Sequence, residues 1–187
     1  MTEGITTRRL NLRRWQACDR KPFQALNADP RVMEFLPALL TPEESDDLIA
    51  RIEQHFDQHG FGVYAAELIE TQAFIGFVGL NIPAFEAPFM PAIEIGWRLA
   101  CDYWGRGLAT EGAIAVVQYA FETIQLPSLG FPSLVSFTVP ANLRSRRVME
   151  KIGMIHDPSS DFDHPHLQQG HRLRRHVLYR FHPRAGE

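Results

Sequence analysis

The segment Y-W-G-R-G-L-A-T-E, residues 103–111, carries the strongest chemical signal in the chain. Gly105 and Gly107 let the backbone turn sharply and approach a ligand closely. The residues that follow read as the start of a helix, whose first-turn N–H groups have no partner within the helix. Unclaimed N–H groups at the positive end of a helix suit an anion, and a pyrophosphate in particular. A glycine connection that merely packs tightly would use the same residues. The pattern G-x-x-x-x-G-K-[ST] is absent, and Thr110 stands where a third glycine would complete G-x-G-x-x-G. A nucleoside triphosphate or a dinucleotide is therefore disfavoured.

Glu94 lies in A-I-E-I-G-W-R-L, residues 92–99, the strand-like run that leads into this turn. A carboxylate in an otherwise apolar strand needs a reason. It can serve as a general base or orient an amine, it can face solvent, or it can pair with an arginine such as Arg98. Asn142 follows the apolar run 134–139 and offers an amide that both donates and accepts; it is equally placed to cap a helix. Ser145 is a hydroxyl for catalysis or an ordinary first-turn residue. The cluster D-F-D-H-P-H, residues 161–166, with His171 and His176, contains metal-ligand types. Pro165 nevertheless keeps a regular element from presenting His164 and His166 together, and no ligand spacing is met, so no metal is expected. The segment reads as a loop at the mouth of the site. The run R-L-R-R-H, residues 172–176, would split its charges between two faces of a strand, which favours a solvated edge strand over a nucleic-acid contact.

Around these residues the hydrophobic pattern places the supporting elements. Residues 5–15 alternate as a first strand, with Leu10 and Leu12 on one face. A polar helix from about Asp19 to Ala28 ends at Asp29-Pro30, and residues 32–37 form an apolar turn. Thr41, Pro42 and Glu44 make a capped helix start, with Leu48, Ile49, Ile52 and Phe56 on one face and Gly60 as its end. Residues 61–68 and 73–82 read as a hairpin, residues 92–99 as a further strand, and Gly107 to about Ile124 as a helix. Residues 134–139 look like a central strand buried on both faces. A short helix from Asn142 to Ile152, a strand near Ile155 and a last strand within 171–181 complete a mixed α/β sheet with helices on both faces.

With 187 residues, 45% hydrophobic and 22% charged, the chain has the composition of one globular domain. Its net charge of −3 offers no general attraction to nucleic acid or to an anionic membrane. Cys18 and Cys101 cannot build a disulfide framework or a thiolate zinc site by themselves. The N-terminal residues lack a signal-peptide core and no apolar run is long enough to span a bilayer, so a cytoplasmic protein is expected.

Residues 104–111 resemble the W/Q-G-x-G-x-A-T-E segment of the GNAT acetyltransferase superfamily, in the branch that includes ribosomal-protein-alanine and spermidine N-acetyltransferases. Residues 139–154, V-P-A-N-L-R-S-R-R-V-M-E-K-I-G-M, are similar to that branch's V-x-x-x-N-x-x-S followed by an amphipathic helix. The resemblance covers about residues 5–181 and implies a single N-acetyltransferase domain over 1–187. Its central sheet would be mostly antiparallel, splayed between two parallel neighbouring strands. It implies acetyl-CoA as co-substrate, with the pyrophosphate on the segment Trp104, Gly105, Arg106, Gly107, Leu108, Ala109 and Thr110. The pantetheine arm would run along the backbone at Trp97 and Leu99 and reach Asn142. A primary amine, of a peptide N-terminus or a small molecule, would attack the thioester with Glu94 as base and Ser145 near the departing sulfur. The tyrosine acid of many relatives is replaced here by Met149 in M-E-K-I-G. Phe35 would belong to the acceptor side, and an edge strand in the tail would suit a homodimer. A non-catalytic acyl-CoA sensor or interaction module is the competing expectation, against which Glu94 and Ser145 weigh.

Overall fold

The computed structural model describes residues 4–131 and 133–183; the outermost ends of the expected 1–187 domain lie outside them. Among the described residues nine strands form one sheet. The first strand of the sequence reading is broken into β1 (Ile5–Thr6) and β2 (Leu10–Arg13). Side chains cause the break: the Leu10 N–H donates to Thr7 Oγ1 at 2.9 Å and the Arg9 N–H to Glu111 Oε1 at 2.8 Å, bonds a regular ladder would not make. Helix α1 (Arg20–Ala28) follows, then α2 (Pro42–His59). The start of α2 is the expected capping box, with the Glu44 N–H donating to Thr41 Oγ1 and the Thr41 N–H to Glu44 Oε2, and Gly60 closes it in the left-handed conformation.

Strands β3 (Val63–Leu68) and β4 (Ala73–Asn81) form the hairpin, and β4 pairs antiparallel with β5 (Ile93–Leu99). After α3 (Leu108–Gln118) the chain enters β6 (Leu134–Thr138), parallel to β5. Then come α4 (Leu143–Lys151), β7 (Ile155–His156), β8 (Phe162–Asp163) and β9 (Arg175–Phe181). The order across the sheet is β1-β2-β3-β4-β5-β6-β9-β7, with β8 also on β9.

Neighbouring residues of β4 show the two covered faces. A Cβ on Gly112 of α3 would meet Val78 at 3.2 Å and Leu10 at 3.3 Å, whereas Phe77 faces Phe23 of α1 with ring centroids 6.1 Å apart. Phe23, Leu10, Val78, Ile93 and Ile95 are fully buried, each worth ~1.5–3 kcal/mol of transfer free energy. One expectation fails at the tail. Strand β9 is flanked by β6 on one side and by β7 and β8 on the other, so it is not an edge, and the argument for a homodimer built on it does not hold. Its backbone groups are already used within the sheet. No helix among the described residues is long and apolar enough to cross a membrane.

Candidate active site

Strands β5 and β6 pair only at Ile93–Leu134 and Glu94–Val135, after which they diverge. The divergence opens a cleft of about 500 Å³ whose lining includes Glu94, Gly96, Arg98, Thr138, Asn142 and Ser145, together with the turn at Trp104, Gly105 and Gly107. The Ala100 N–H reaches Ile75 O at 2.9 Å, so Ala100 turns its backbone groups toward β4. Alternation along an antiparallel strand then points the N–H and C=O of Trp97 and Leu99 the other way, into the cleft. One of these groups is taken: the Trp104 indole N–H donates to Leu99 O at 2.7 Å, bracing the turn against the end of β5.

The turn itself is held open by its glycines, with φ of 71° at Gly105 and 76° at Gly107, where a β-branched side chain would be strained. No hydrogen bond among the described residues takes up the N–H groups of Gly105, Arg106, Gly107, Leu108, Ala109 or Thr110. The Leu108 side chain is core, 1% exposed, so this residue offers only its backbone. Arg106 is exposed, its guanidinium 5.7 Å from the Tyr103 ring, while its carbonyl accepts from Arg9 Nη1 at 3.0 Å. The last residue of the motif explains that link. Glu111 accepts from Thr7 Oγ1 at 2.7 Å and from Arg9 Nε at 2.7 Å, tying the turn to the start of the sheet. Burial pulls the Glu111 carboxyl upward, but the hydrogen bonds from Thr7 and Arg9 outweigh it and leave its pKa below the ordinary value. Alternation alone puts Arg9 on the face opposite Leu10 and Leu12 and gives no sign of this brace.

Glu94 behaves in the opposite way. Burial pushes its carboxyl up to about 7, with a hydrogen bond from Asn81 acting against the shift. The expected alternative of an Arg98 partner is not realised. Arg98 donates instead to Asn27 Oδ1 of α1 and lies 5.1 Å from the Phe77 ring. Register with β4 places Glu94 opposite Asn81, Gly96 opposite Gly79 and Arg98 opposite Phe77, so all three share the α1 face. The loop after α1 reaches the same face, where Arg31, Val32, Phe35 and Leu36 line the cleft.

Asn142 is the cap of α4: its Oδ1 accepts from the Ser145 N–H at 3.2 Å and its Nδ2 donates to Thr138 Oγ1 at 3.0 Å. The capping role is thus realised, with one amide hydrogen still directed elsewhere. Ser145 sits in the first turn of α4 on the cleft wall. Above the glycine turn, the Arg144 guanidinium lies 4.4 Å from the Trp104 ring and pairs with Glu34 at 3.0 Å, and Arg172 donates to Glu34 O at 2.8 Å. These contacts tie the start of α4 to the glycine turn and to the loops that carry Glu34 and Arg172.

The histidine segment is more compact than element geometry implies. His164 lies 5.4 Å from His166 and 5.2 Å from His176 between ring centroids; no regular element holds His164 and His166, and a turn around Pro165 brings them together. Phe85, Phe137 and Phe162 pack against them, with Phe89 behind Phe162, and Phe137 also lines the cleft. Burial pushes His164 and His176 below the ordinary imidazole value. Among the described residues no group of histidine, cysteine and carboxylate side chains is arranged to hold a metal ion.

Comparison with known proteins agrees with this geometry. Residues 9–155 match the model of the acetyltransferase (GNAT) domain family. The chain is 30% identical over 151 residues to the YkkB protein of Bacillus subtilis (strain 168), covering 80% of this chain and 84% of that one. It is 31% identical over 139 residues to the FsC-acetyl coenzyme A-N(2)-transacetylase of Aspergillus fumigatus, covering 70% of this chain and 56% of that protein. The crystal structure of an acetyltransferase from Agrobacterium tumefaciens str. C58 superposes with a TM-score of 0.75 at 28% identity, over 98% of this chain and 96% of that one.

Proposed function

The chain belongs to the GNAT acetyltransferase family and is an acyltransferase, and we propose that it moves an acetyl group from acetyl-CoA to a primary amine by direct attack of the amine on the thioester. Acetyl-CoA supplies an activated acyl group, whose C–S bond breaks as the C–N bond forms and whose thiolate, from a thiol of pKa ~8.5, leaves with little help. The free N–H groups from Gly105 to Thr110 fit its pyrophosphate, and the backbone of Trp97 and Leu99 fits its extended amide arm as an added strand. Asn142 and Ser145 stand at the far wall, where the Ser145 hydroxyl can donate to the departing sulfur.

One observation carries the catalytic reading: Glu94 lies in the same cleft as the anion turn, with its carboxyl pushed up to about 7 by burial. An alkylamine of pKa ~10.4 is neutral only about once in ~2,500 molecules at pH 7, and an α-amine of pKa ~7.7–8.0 roughly one time in ten. A carboxylate with a pKa near the working pH is partly ionised and basic enough to take that proton, directly or through one water, a contribution of typically ~10²–10⁴ in rate. Phe35, at the α1 face of the cleft, belongs to the acceptor side of this arrangement. The test is thiol release from acetyl-CoA in the presence of a panel of primary amines. Acetyl transfer to at least one of them supports the reading. Tight acetyl-CoA binding with no amine turned over would leave a non-catalytic acyl-CoA sensor in its place.

A further inference from the structure

Five cationic side chains line the cleft, and four have ordinary surroundings. Arg31 pairs with Asp29 at 2.7 Å, Arg144 pairs with Glu34 at 3.0 Å, and Arg147 and Lys151 are exposed to water on α4. Arg98 differs. Among the described residues its guanidinium makes one hydrogen bond, to the neutral amide of Asn27, itself fully buried and held by Ser45, and no carboxylate pairs with it. Burial alone pushes its guanidinium down to about 10, so it still carries a full charge at neutral pH. Charges withdrawn from water are ordinarily paired. A half-buried arginine with most of its five N–H donors free in a ligand cleft asks for an anion, and a planar carboxylate matches its fork.

The floor beside it supports the same conclusion. Gly96 separates Glu94 from Arg98 on one face of β5, and a Cβ there would meet nothing nearer than Glu94 Oε1 at 3.9 Å. The strand therefore presents a carboxylate, an open step and a guanidinium in line, with the two charges unpaired with each other. We propose that the acceptor is an amino-acid-like molecule that carries both the reacting amine and a carboxylate, the amine beside Glu94 and the carboxylate on Arg98. This rests on the amine-acetylation reading and names the substrate class for it. Phe77 and Phe137 on either side of β5 give such a molecule an apolar flank.

The experiment compares free amino acids of each side-chain class with their carboxamides as acceptors. The parent enzyme is expected to favour the acid by at least ~10-fold in kcat/KM, because a site built to hydrogen-bond a group rejects the analogue that lacks it. In Arg98→Gln that preference should collapse to within about threefold with the acetyl-CoA KM unchanged, and Arg98→Lys should restore part of it. Equal use of acid and amide by the parent overturns the proposal, as does an equal loss on both in Arg98→Gln or a raised acetyl-CoA KM. A second measurement does not depend on variants folding or on turnover: calorimetric titration of the CoA-bound parent with N-acetyl amino acids and with their amides. The acids should bind at least ~10-fold tighter, and equal binding refutes the carboxylate site. Should the N-acetylated acids bind selectively while no amine is acetylated, the carboxylate site stands and the failure falls on the catalytic reading.

Discussion

Two glutamates mark the two halves of the cleft, and their surroundings could hardly differ more. Glu111, beside the glycine turn, is saturated with donors from Thr7 and Arg9 and is held in the ionised state as a structural brace. Glu94, on β5, is half-buried, has only the Asn81 amide to oppose its desolvation, and is pushed up to about 7. The first half is made of backbone, which the brace holds still for an anion. The second is made of side chains from β4, β5, β6 and the loop after α1, and it keeps a titrating group and a free cation where chemistry can use them. A carboxylate becomes a base by being left short of partners, not by being well bonded.

If that division is right, the two halves fail differently when altered. Glu94→Gln keeps the side chain's shape and removes the base, so kcat should fall by ~10²–10⁴ with acetyl-CoA affinity as in the parent, measured by steady-state kinetics beside calorimetry. Gly107→Val should do the reverse. Its φ of 76° is unfavourable for valine, and the added side chain crowds the anion's approach, although only Arg9 Nη2, at 3.7 Å, lies near a Cβ there. Acetyl-CoA should bind at least ~10-fold more weakly, ~1.4 kcal/mol, and unchanged affinity in the folded variant would remove the phosphate-turn assignment. Phe35→Ala is the mildest of the three. It should raise the acceptor KM several-fold, ~1 kcal/mol for a partly buried aromatic, and leave the acetyl-CoA KM alone; equal effects on both would make Phe35 ordinary core.

The same division decided what could be read from the sequence. A backbone site announces itself locally, because Gly105, Gly107 and the helix start must be contiguous, and the capping box at Thr41 and Glu44 is legible for the same reason. Glu94 was visible as a charge out of place in an apolar strand. Arg98, two residues beyond Gly96 on the same face, carries the same signal, although strand geometry alone offers it only as a possible mate for Glu94. What was hidden is contact over distance: Arg9 meets Glu111 across 102 positions, and Arg98 meets Asn27 across 71. Pro165 does keep His164 and His166 out of a regular element, but the turn it makes brings the two rings together and β9 adds His176, a contact that element geometry alone does not show. The tail strand was read as an edge because its pairing with β6, β7 and β8 leaves no trace in its own alternation.

The most direct test of the account is the pH dependence of kcat at saturating acetyl-CoA and amine, parent against Glu94→Gln. A base must be ionised to act, and Glu94 is pushed up to about 7, so the parent rate should rise as pH climbs through about 7 and then level off. In Glu94→Gln that limb should vanish, leaving a low rate that keeps climbing with pH as the acceptor amine itself becomes neutral. A variant whose rate and pH profile match the parent's across several acceptors would contradict the account and make Glu94 a structural carboxylate.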